Sequence, residues 1–202
     1  MNFQEAAKSA NHAQRNWLDE PMSMAHAKEF IEIATSMPTK QNVPVYKLIA
    51  STDKEFNTFV YNNAVDPKLI EDKDDHGKVF IRNSMVLAPL LFIYIIYKNP
   101  EHSVSTSYIG AGISSGAVAL TANAKGYKTG FCTCLKDDEI LHGLKEKYKM
   151  STLWSWECLN ILALGIGKPN PGIDHNVVIR PEDNEQFYVK LHPKETELVS
   201  IL

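Results

Sequence analysis

The apolar residues of the chain follow two spacings, one typical of helices and one typical of buried strands. Between Met24 and Ser36 they recur at i, i+3, i+4 and i+7, the spacing of one helix face: Ala27, Phe30, Ile31 and Ala34. Val86–Tyr97 is instead an almost unbroken aliphatic and aromatic run, as expected of a strand buried on both faces. Val45–Ser51 and Cys158–Ile166 predict two further strands.

Three other segments predict helices. Residues 1–16 carry an amphipathic pattern, and Asp53 is placed to cap a short helix that runs to Asn63. Either Asp137 or Asp138 can cap a helix whose apolar stripe is Ile140, Leu141 and Leu144. Helices that alternate with a few buried strands predict an α+β protein, with a sheet wrapped by helices or set between two helical layers.

The stretch Tyr108–Cys134 is unusual in its content of small residues. Ten of the fifteen residues in Gly110–Ala124 are Gly, Ala or Ser. A helix built in this way lets other backbones approach closely, from the same chain or from a second subunit. Lys125-Gly126 predicts its end, with a cation near the C-terminal dipole and glycine in the left-handed cap. Tyr127–Cys134 is expected to follow as a short strand or loop that enters the core.

Length and charge restrict the class of protein. The 202 residues are expected to form a single domain, 1–202, and the net charge of -3 argues against a nucleic-acid binder. The longest apolar run, Met85–Tyr97, contains Pro89 and is shorter than the roughly 18–20 residues of a membrane span. Met1–Ala13 is polar, so we expect no signal peptide. Three cysteines without extracellular cues favour reduced thiols and a cytoplasmic location.

Two segments fit neither spacing. Residues 64–78 are rich in charge and predict either a solvated loop or a lid over a site; their acidic residues are Asp66, Glu71, Asp72, Asp74 and Asp75. Residues 176–202 alternate poorly until Phe187–Leu191 and Leu198–Leu202. They predict a C-terminal arm whose apolar residues are buried against this subunit or a partner.

The common nucleotide-binding and hydrolase motifs are absent from the sequence. No Gly-x-Gly-x-x-Gly follows a strand, and neither Gly-x-x-x-x-Gly-Lys-Ser/Thr nor Gly-x-Ser-x-Gly occurs. The thiols of Cys132 and Cys134 are expected to point to opposite sides of an extended segment. No Cys or His pair at ordinary zinc spacing completes a ligand set with them or with Cys158. We therefore expect no metal site.

Four separated segments form an ordered set of motifs. Residues 11–17, Asn-His-Ala-Gln-Arg-Asn-Trp, place a cation just before an aromatic residue, and residues 38–42 read Pro-Thr-Lys-Gln-Asn. Gly110–Cys134 is the small-residue helix with its turn, and Leu162–Pro169 ends in Gly-x-Gly before a proline. In this order they resemble the nitroreductase family of flavin-dependent, homodimeric enzymes. The resemblance implies a three-layer helix–sheet–helix fold with a mixed or antiparallel sheet around the central small-residue helix.

The resemblance also implies FMN as cofactor and assigns residues to it. Arg15 would bind the phosphate or the N1–O2 edge of the ring through its planar fork, and His12 could supply a second donor. Asn42, in a motif with Pro38, Thr39 and Lys40, would donate and accept hydrogen bonds at the ring or the ribityl chain.

At the second side of the implied site, the turn that contains Cys132, Thr133 and Cys134 would reach N5 and O4 of the ring through its backbone. Ala13 stands where the family often has a phosphate-binding serine. The Lys/Arg pair of the family is not evident after the Gly-x-Gly strand. The basic residues near enough in sequence are Lys168, His175 and Arg180, and His175 is the expected replacement.

The activity implied by the resemblance is that of an oxidoreductase. NAD(P)H would reduce the flavin and leave, and an oxidised acceptor such as a nitroaromatic or a quinone would take its place in a ping-pong cycle. Because the cofactor carries the chemistry, no side chain is expected to act as catalytic acid or base. The alternatives are a dehalogenating or flavin-fragmenting relative of the same fold, a non-catalytic flavin-binding protein, and a structural dimer without flavin.

Overall fold

The computed structural model describes residues 2–10, 14–64, 83–150 and 157–170, together with the backbone of four two-residue strands. The helices are α1 Phe3–Ser9, α2 Met24–Ser36, α3 Lys54–Asn62, α4 Val104–Ala124 and α5 Asp137–Glu146. The longer strands are β1 Tyr46–Ser51, β4 Leu90–Tyr97, β5 Lys128–Cys132 and β6 Cys158–Gly167. The two-residue strands are β2 Asp72–Lys73, β3 Val79–Phe80, β7 Val178–Ile179 and β8 Tyr188–Val189.

The longer strands form one antiparallel sheet in the order β1-β4-β6-β5. The central strand β4 is buried along its whole length, as its unbroken apolar sequence predicts. It begins at Leu90, four residues later than expected. Residues Ser84–Leu87 form a 3₁₀ turn instead, and Pro89 has no N–H with which to join a ladder.

Helices cover both faces of the sheet. On one face, Phe92, Tyr94 and Leu164 pack against the apolar sides of α2 and α4. On the other face, Ile93 and Ala163 pack against α3 and α5. Because neighbouring residues of a strand point to opposite faces, each strand serves both layers. The three-layer α+β architecture expected from the sequence is therefore confirmed, with an antiparallel sheet.

The small-residue helix α4 packs closely against the segment that precedes β1. A Cβ placed on Gly110 would lie 2.6 Å from Val45 Cγ2 and 3.2 Å from Thr39 Cγ2, so glycine is needed for this approach. The helix ends as predicted. Lys125 is the C-cap, and Gly126 follows with φ +83°, in the left-handed region that glycine adopts without strain.

The first helix is shorter than the predicted 1–16, because α1 ends at Ser9. The backbone of Gln14 donates to the Thr129 carbonyl at 2.9 Å, and Leu18 N–H donates to the Lys168 carbonyl at 3.0 Å. Residues 14–18 thus run beside the ends of β5 and β6 rather than continuing a helix. Tertiary hydrogen bonds replace the helical ones in this segment.

The capping predictions had different outcomes. Asp53 caps α3 as expected, with its carboxylate accepting the Glu55 N–H at 2.8 Å. The cap position of α5 is Lys136, so the prediction of Asp137 or Asp138 was wrong. The Asp137 carboxylate instead accepts the N–H of Ile161 from β6, and burial raises its pKa.

Two predicted features fall largely outside the described residues, namely the lid at 64–78 and the arm at 176–202. Within the part of the chain that the structure describes, no helix combines the length and the apolar character needed to cross a membrane.

Candidate functional site

Arg15 is held in place through its backbone. Its carbonyl oxygen accepts a hydrogen bond from Ser84 Oγ, and the Ser84 carbonyl accepts the Trp17 indole N–H at 3.1 Å. The preceding carbonyl, of Gln14, lies directly over Gly130 of β5, where any side chain would overlap it. The 3₁₀ turn and the edge strand therefore fix the half-buried Arg15 beside the end of the sheet.

The Arg15 side chain lies close enough to Cys132, the last residue of β5, to act on its thiol. Burial raises the pKa of Cys132 to about 11, while a hydrogen bond from the Cys134 N–H and the positive charge of Arg15 act in the opposite direction. Two parts of the predicted site, the N-terminal cation and the cysteine turn, are thus neighbours in the structure.

The chain leaves the sheet immediately after Cys132. The ladder between β5 and β6 ends at the Cys132–Ala163 pair, and both Thr133 and Cys134 are exposed. The main chain of Thr133 is therefore open to a ligand, as the predicted backbone role requires.

Cys132 is buried at the end of β5, whereas Cys134 lies beyond the strand and is exposed. The expectation that the two thiols point to opposite sides of an extended segment used the wrong period, because residues two apart in such a segment share a face. Among the described residues, no group of three His, Cys, Asp or Glu side chains is arranged to hold a metal ion.

The loop at residues 38–42 is a preformed turn. Thr39 Oγ1 donates to the Val43 carbonyl at 2.7 Å, and the Asn42 N–H donates to the Thr39 carbonyl at 3.1 Å. Gln41 and Asn42 both have φ +57°, a conformation that asparagine tolerates better than most residues. Pro38, Lys40 and Asn42 are exposed, so their side chains are available to a ligand.

These contacts divide the predicted site residues into two groups. Arg15 lies with the turn after β5, whereas Thr39 lies against Gly110 of α4. His12 and His175, predicted to contact the cofactor, are outside the described residues.

Lys128 is a cation that the sequence analysis did not select. Its ammonium donates to the Ser9 carbonyl at 2.9 Å, at the C-terminal end of α1, and burial lowers its pKa. Residue 128 immediately precedes Thr129, whose carbonyl accepts the Gln14 N–H. The sequence feature that could have identified Lys128 is its position two residues after Gly126, the glycine that ends the small-residue helix.

Arg15 lines a cavity of about 910 Å³, whose walls also include Trp17 and Leu87. Two buried amides also line it, Asn16 and Asn57 of α3. Asn16 Nδ2 and Asn57 Oδ1 have no hydrogen-bond partner within the described part of the chain. The wall of the cavity therefore contains one residue with an unpartnered buried donor and one with an unpartnered buried acceptor.

The three thiols are expected to react at very different rates. At pH 8 a thiol with a pKa of about 11, as in Cys132 and Cys158, is ionised in about one molecule per thousand. Cys134 is exposed and should therefore be alkylated first by iodoacetamide, with the other two reacting only after denaturation. Peptide mapping after a short labelling pulse measures this order; equal labelling of Cys132 and Cys134 in the native protein would contradict it.

Comparison with known proteins identifies the fold. No protein-family model and no curated protein matches the sequence. A BluB-like flavoprotein from Clostridium difficile 630 superposes with a TM-score of 0.70 at 12% identity, over 100% of this chain and 99% of the other. A nitroreductase family protein from the same organism gives a TM-score of 0.62 at 20% identity, over 99% and 98%. The chain has the nitroreductase fold.

A third nitroreductase-fold structure was solved with a cofactor. It is a putative nitroreductase in complex with FMN from Exiguobacterium sibiricum 255-15, with a TM-score of 0.64 at 14% identity over 100% of this chain and 98% of the other. The agreement extends over essentially the full length of all three neighbours, so the nitroreductase fold of this chain is not confined to its central sheet.

Proposed function

We propose that this protein is an FMN-dependent oxidoreductase that passes reducing equivalents from NAD(P)H to an oxidised acceptor, such as a nitroaromatic or a quinone, in a ping-pong cycle. The observation that carries the proposal is the placement of Arg15 beside the open turn after β5, within a nitroreductase fold. A cation next to an exposed turn suits a ligand that is anionic at one end and has a hydrogen-bonding ring at the other.

The residues of the chain fit FMN in three respects. The guanidinium of Arg15 would bind the phosphate or the N1–O2 edge, where it would stabilise negative charge that develops on reduction. Asn42 would use its amide as donor and acceptor, on a turn that is already in its left-handed conformation. The exposed Thr133, beyond the end of β5, leaves room for a flat ring to approach its main chain.

Bound FMN would supply the hydride and electron transfer, and the chain would bind it, orient it and exclude water. Lys128 extends the positive charge of this region toward the end of α1. We propose that it compensates in part for the phosphate-binding serine that Ala13 replaces.

The proposed function is tested by the colour and the redox response of the purified protein. We expect a yellow protein that releases FMN on denaturation and is bleached by NADH or NADPH without oxygen, then recoloured by a quinone. A protein that cannot be reconstituted with FMN would rule out the proposal and every flavin alternative. Bound FMN that neither nucleotide bleaches would instead identify a flavin-binding protein with another reductant.

We further propose that the protein is a homodimer formed through the outer face of α4. Large apolar side chains remain exposed on this helix: Val104, Tyr108, Ile109 and Ile113. Gly112 lies between Ile109 and Ile113, and Gly116 follows them in the helix. A Cβ atom built on either glycine would have no atom within 4 Å. An apolar face with small residues at its centre allows a second helix to pack closely.

Charging this face is expected to produce a monomer. Ile109→Glu combined with Ile113→Glu places two carboxylates on the proposed contact, where they would be desolvated without a partner. Light scattering coupled to size exclusion should then give half the mass of the wild-type particle. Met24→Glu, an equally exposed apolar site at the start of α2, is the matched control and should leave the mass unchanged. If the double variant keeps the wild-type mass, α4 is not the contact.

A further inference from the structure

The carbonyl of Ala34 lies in the last turn of α2, where helical carbonyls have no partner within the helix. The residue four positions later is Pro38, which has no N–H to donate to it. Ala34 is fully buried, so this oxygen needs a partner from elsewhere in the protein. Two hydroxyls supply it: Tyr46 Oη donates to the Ala34 oxygen at 2.6 Å and Ser114 Oγ at 2.7 Å.

The two hydroxyls are held in place by a third residue, Tyr94 of the central strand β4. Ser114 is fully buried on α4, and its Oγ lies 3.3 Å from the hydroxyl of Tyr94. The rings of Tyr46 and Tyr94 meet edge to face, with centroids 5.2 Å apart. Two helices and two strands therefore contribute to the cluster at the Ala34 carbonyl.

The hydrogen bond from Tyr46 closes a loop in the chain. Tyr46 is the first residue of β1, and its partner Ala34 lies 12 positions earlier, so the bond joins the two ends of residues 35–45. The turn at residues 38–42 lies inside this loop. A loop whose ends are tied together has fewer conformations than one whose ends are free, so the bond restricts the turn.

The helix α4 contacts the same loop at two further positions. Gly110 lies against Thr39 and Val45 so closely that no side chain would fit at residue 110. Ser114 follows Gly110 by about one helical turn and is therefore on the same face of α4. One face of this helix thus contacts both the loop and the helix end that precedes it.

We propose that Tyr46 and Ser114 are positioning residues for the cofactor. By binding the Ala34 carbonyl, they close the loop and hold Asn42 in the left-handed conformation from which its side-chain amide binds FMN. Both hydroxyls act through Asn42 and not through contact with the cofactor. The inference rests on the proposed function, because it takes Asn42 as a ligand of FMN.

The first measurement of the test needs no cofactor. Hydrogen exchange of the apoprotein, followed by mass spectrometry of peptides that cover residues 37–45, reports how often the turn opens. The amides protected by the turn are those of Asn42 and Val43. Tyr46→Phe and Ser114→Ala should each accelerate this exchange about 2- to 12-fold, the factor that corresponds to one hydrogen bond.

Two other hydroxyl deletions are the matched controls. Tyr61→Phe removes a buried hydroxyl that has no hydrogen-bond partner within the described part of the chain. Thr121→Val removes a hydroxyl of α4 that donates to the Ala117 carbonyl of the same helix at 2.9 Å. Neither variant should change the exchange of residues 37–45.

The second measurement is the dissociation constant of FMN, obtained from the quenching of flavin fluorescence. Wild type, Tyr46→Phe, Asn42→Ala and the double variant are compared. Asn42→Ala should weaken binding about 2- to 12-fold, as expected for one neutral hydrogen bond, and Tyr46→Phe by no more than this factor. Adding Tyr46→Phe to Asn42→Ala should have no further effect, because the amide that Tyr46 positions is then absent.

The outcomes separate this inference from the proposed function. A wild-type protein that binds no FMN refutes the proposed function itself. If the wild type binds FMN but the exchange of residues 37–45 is unchanged in both variants, the hydroxyls do not hold the turn. If Tyr46→Phe keeps wild-type affinity, or weakens binding equally with and without Asn42, Tyr46 does not position this amide. Tyr46→Phe keeps the ring, so this comparison remains decisive even if Ser114→Ala folds poorly.

Discussion

Replacing Gly165 with alanine is expected to lower the free energy of unfolding by at least about 3 kcal/mol, the upper range for overpacking a rigid core. A Cβ at this position would overlap the carbonyl oxygen of Met85 and lie 2.9 Å from the Ala88 Cβ. The obstacle is mainly backbone, in the turn that carries Ser84, so no change of rotamer can relieve it. Displacing that turn would also remove the hydrogen bonds that Ser84 makes to the Arg15–Trp17 segment.

Gly126→Ala is the matched control for Gly165→Ala. Its φ of +83° makes the left-handed conformation costly for alanine, but nothing lies within 4 Å of the new methyl group. We expect it to lose only about 1–2 kcal/mol, the cost of a left-handed residue with a Cβ. Urea denaturation of the three proteins measures both effects. If both variants lose the same free energy of unfolding, the 3₁₀ turn that contains Met85 moves to make room for the new methyl group and does not hold the sheet rigidly.

Replacing Arg15 with alanine is expected to weaken FMN binding about 10- to 150-fold, since a hydrogen bond to a charged group contributes about 1.5–3 kcal/mol. The side chain is half-buried beside Cys132, so its charge is less screened than that of a surface cation. Quenching of flavin fluorescence during titration of the apoprotein gives the dissociation constant directly.

Two further variants separate the shape of Arg15 from its charge. Lys98→Ala removes an exposed cation that pairs with Glu157 at 3.2 Å, and it should leave FMN affinity unchanged. Arg15→Lys keeps the charge but loses the planar fork, so we expect an intermediate affinity. Thermal unfolding of each apoprotein shows whether the fold is intact. An Arg15→Ala protein that is stable and binds FMN as tightly as wild type would place the cofactor elsewhere.

Elements with a strong local signal could be predicted from the sequence. The bounds of α2 coincide with those expected from its apolar spacing, because one face alone contacts the sheet. The cap of α3 and the end of α4 were equally predictable, since Asp53 and Gly126 act on their own immediate backbone.

Features set by distant partners could not be predicted. The end of α1 depends on Thr129, and the role of Asp137 depends on Ile161, which lies in another element. No periodicity within residues 1–16 or 137–146 encodes either contact. The predicted fold class was nevertheless correct, because it follows from the number and order of the helices and strands and not from the residues at which they end.

The candidate site shows the same division. The ordered motifs selected Arg15 and the turn after β5, and the structure places the two together. The sequence did not reveal Lys128, because its significance arises only from its contact with Ser9, 119 positions earlier. The expected directions of the Cys132 and Cys134 thiols rested on a wrong assumption about strand geometry, since residues two apart in a strand share a face.

The turn at Ser84 has a consequence for the order of events during synthesis. Its contacts with Arg15 and Trp17 join residues that are separated by 69 and 67 positions along the chain. The hydrogen bond of Gln14 needs Thr129, which is synthesised later still. A nascent chain that has exposed Arg15 to the solvent therefore has no site until more than half of the protein has left the ribosome. We therefore expect FMN to bind only after the chain has folded. N-terminal fragments that end before β5 should retain no FMN when they are mixed with it and then desalted.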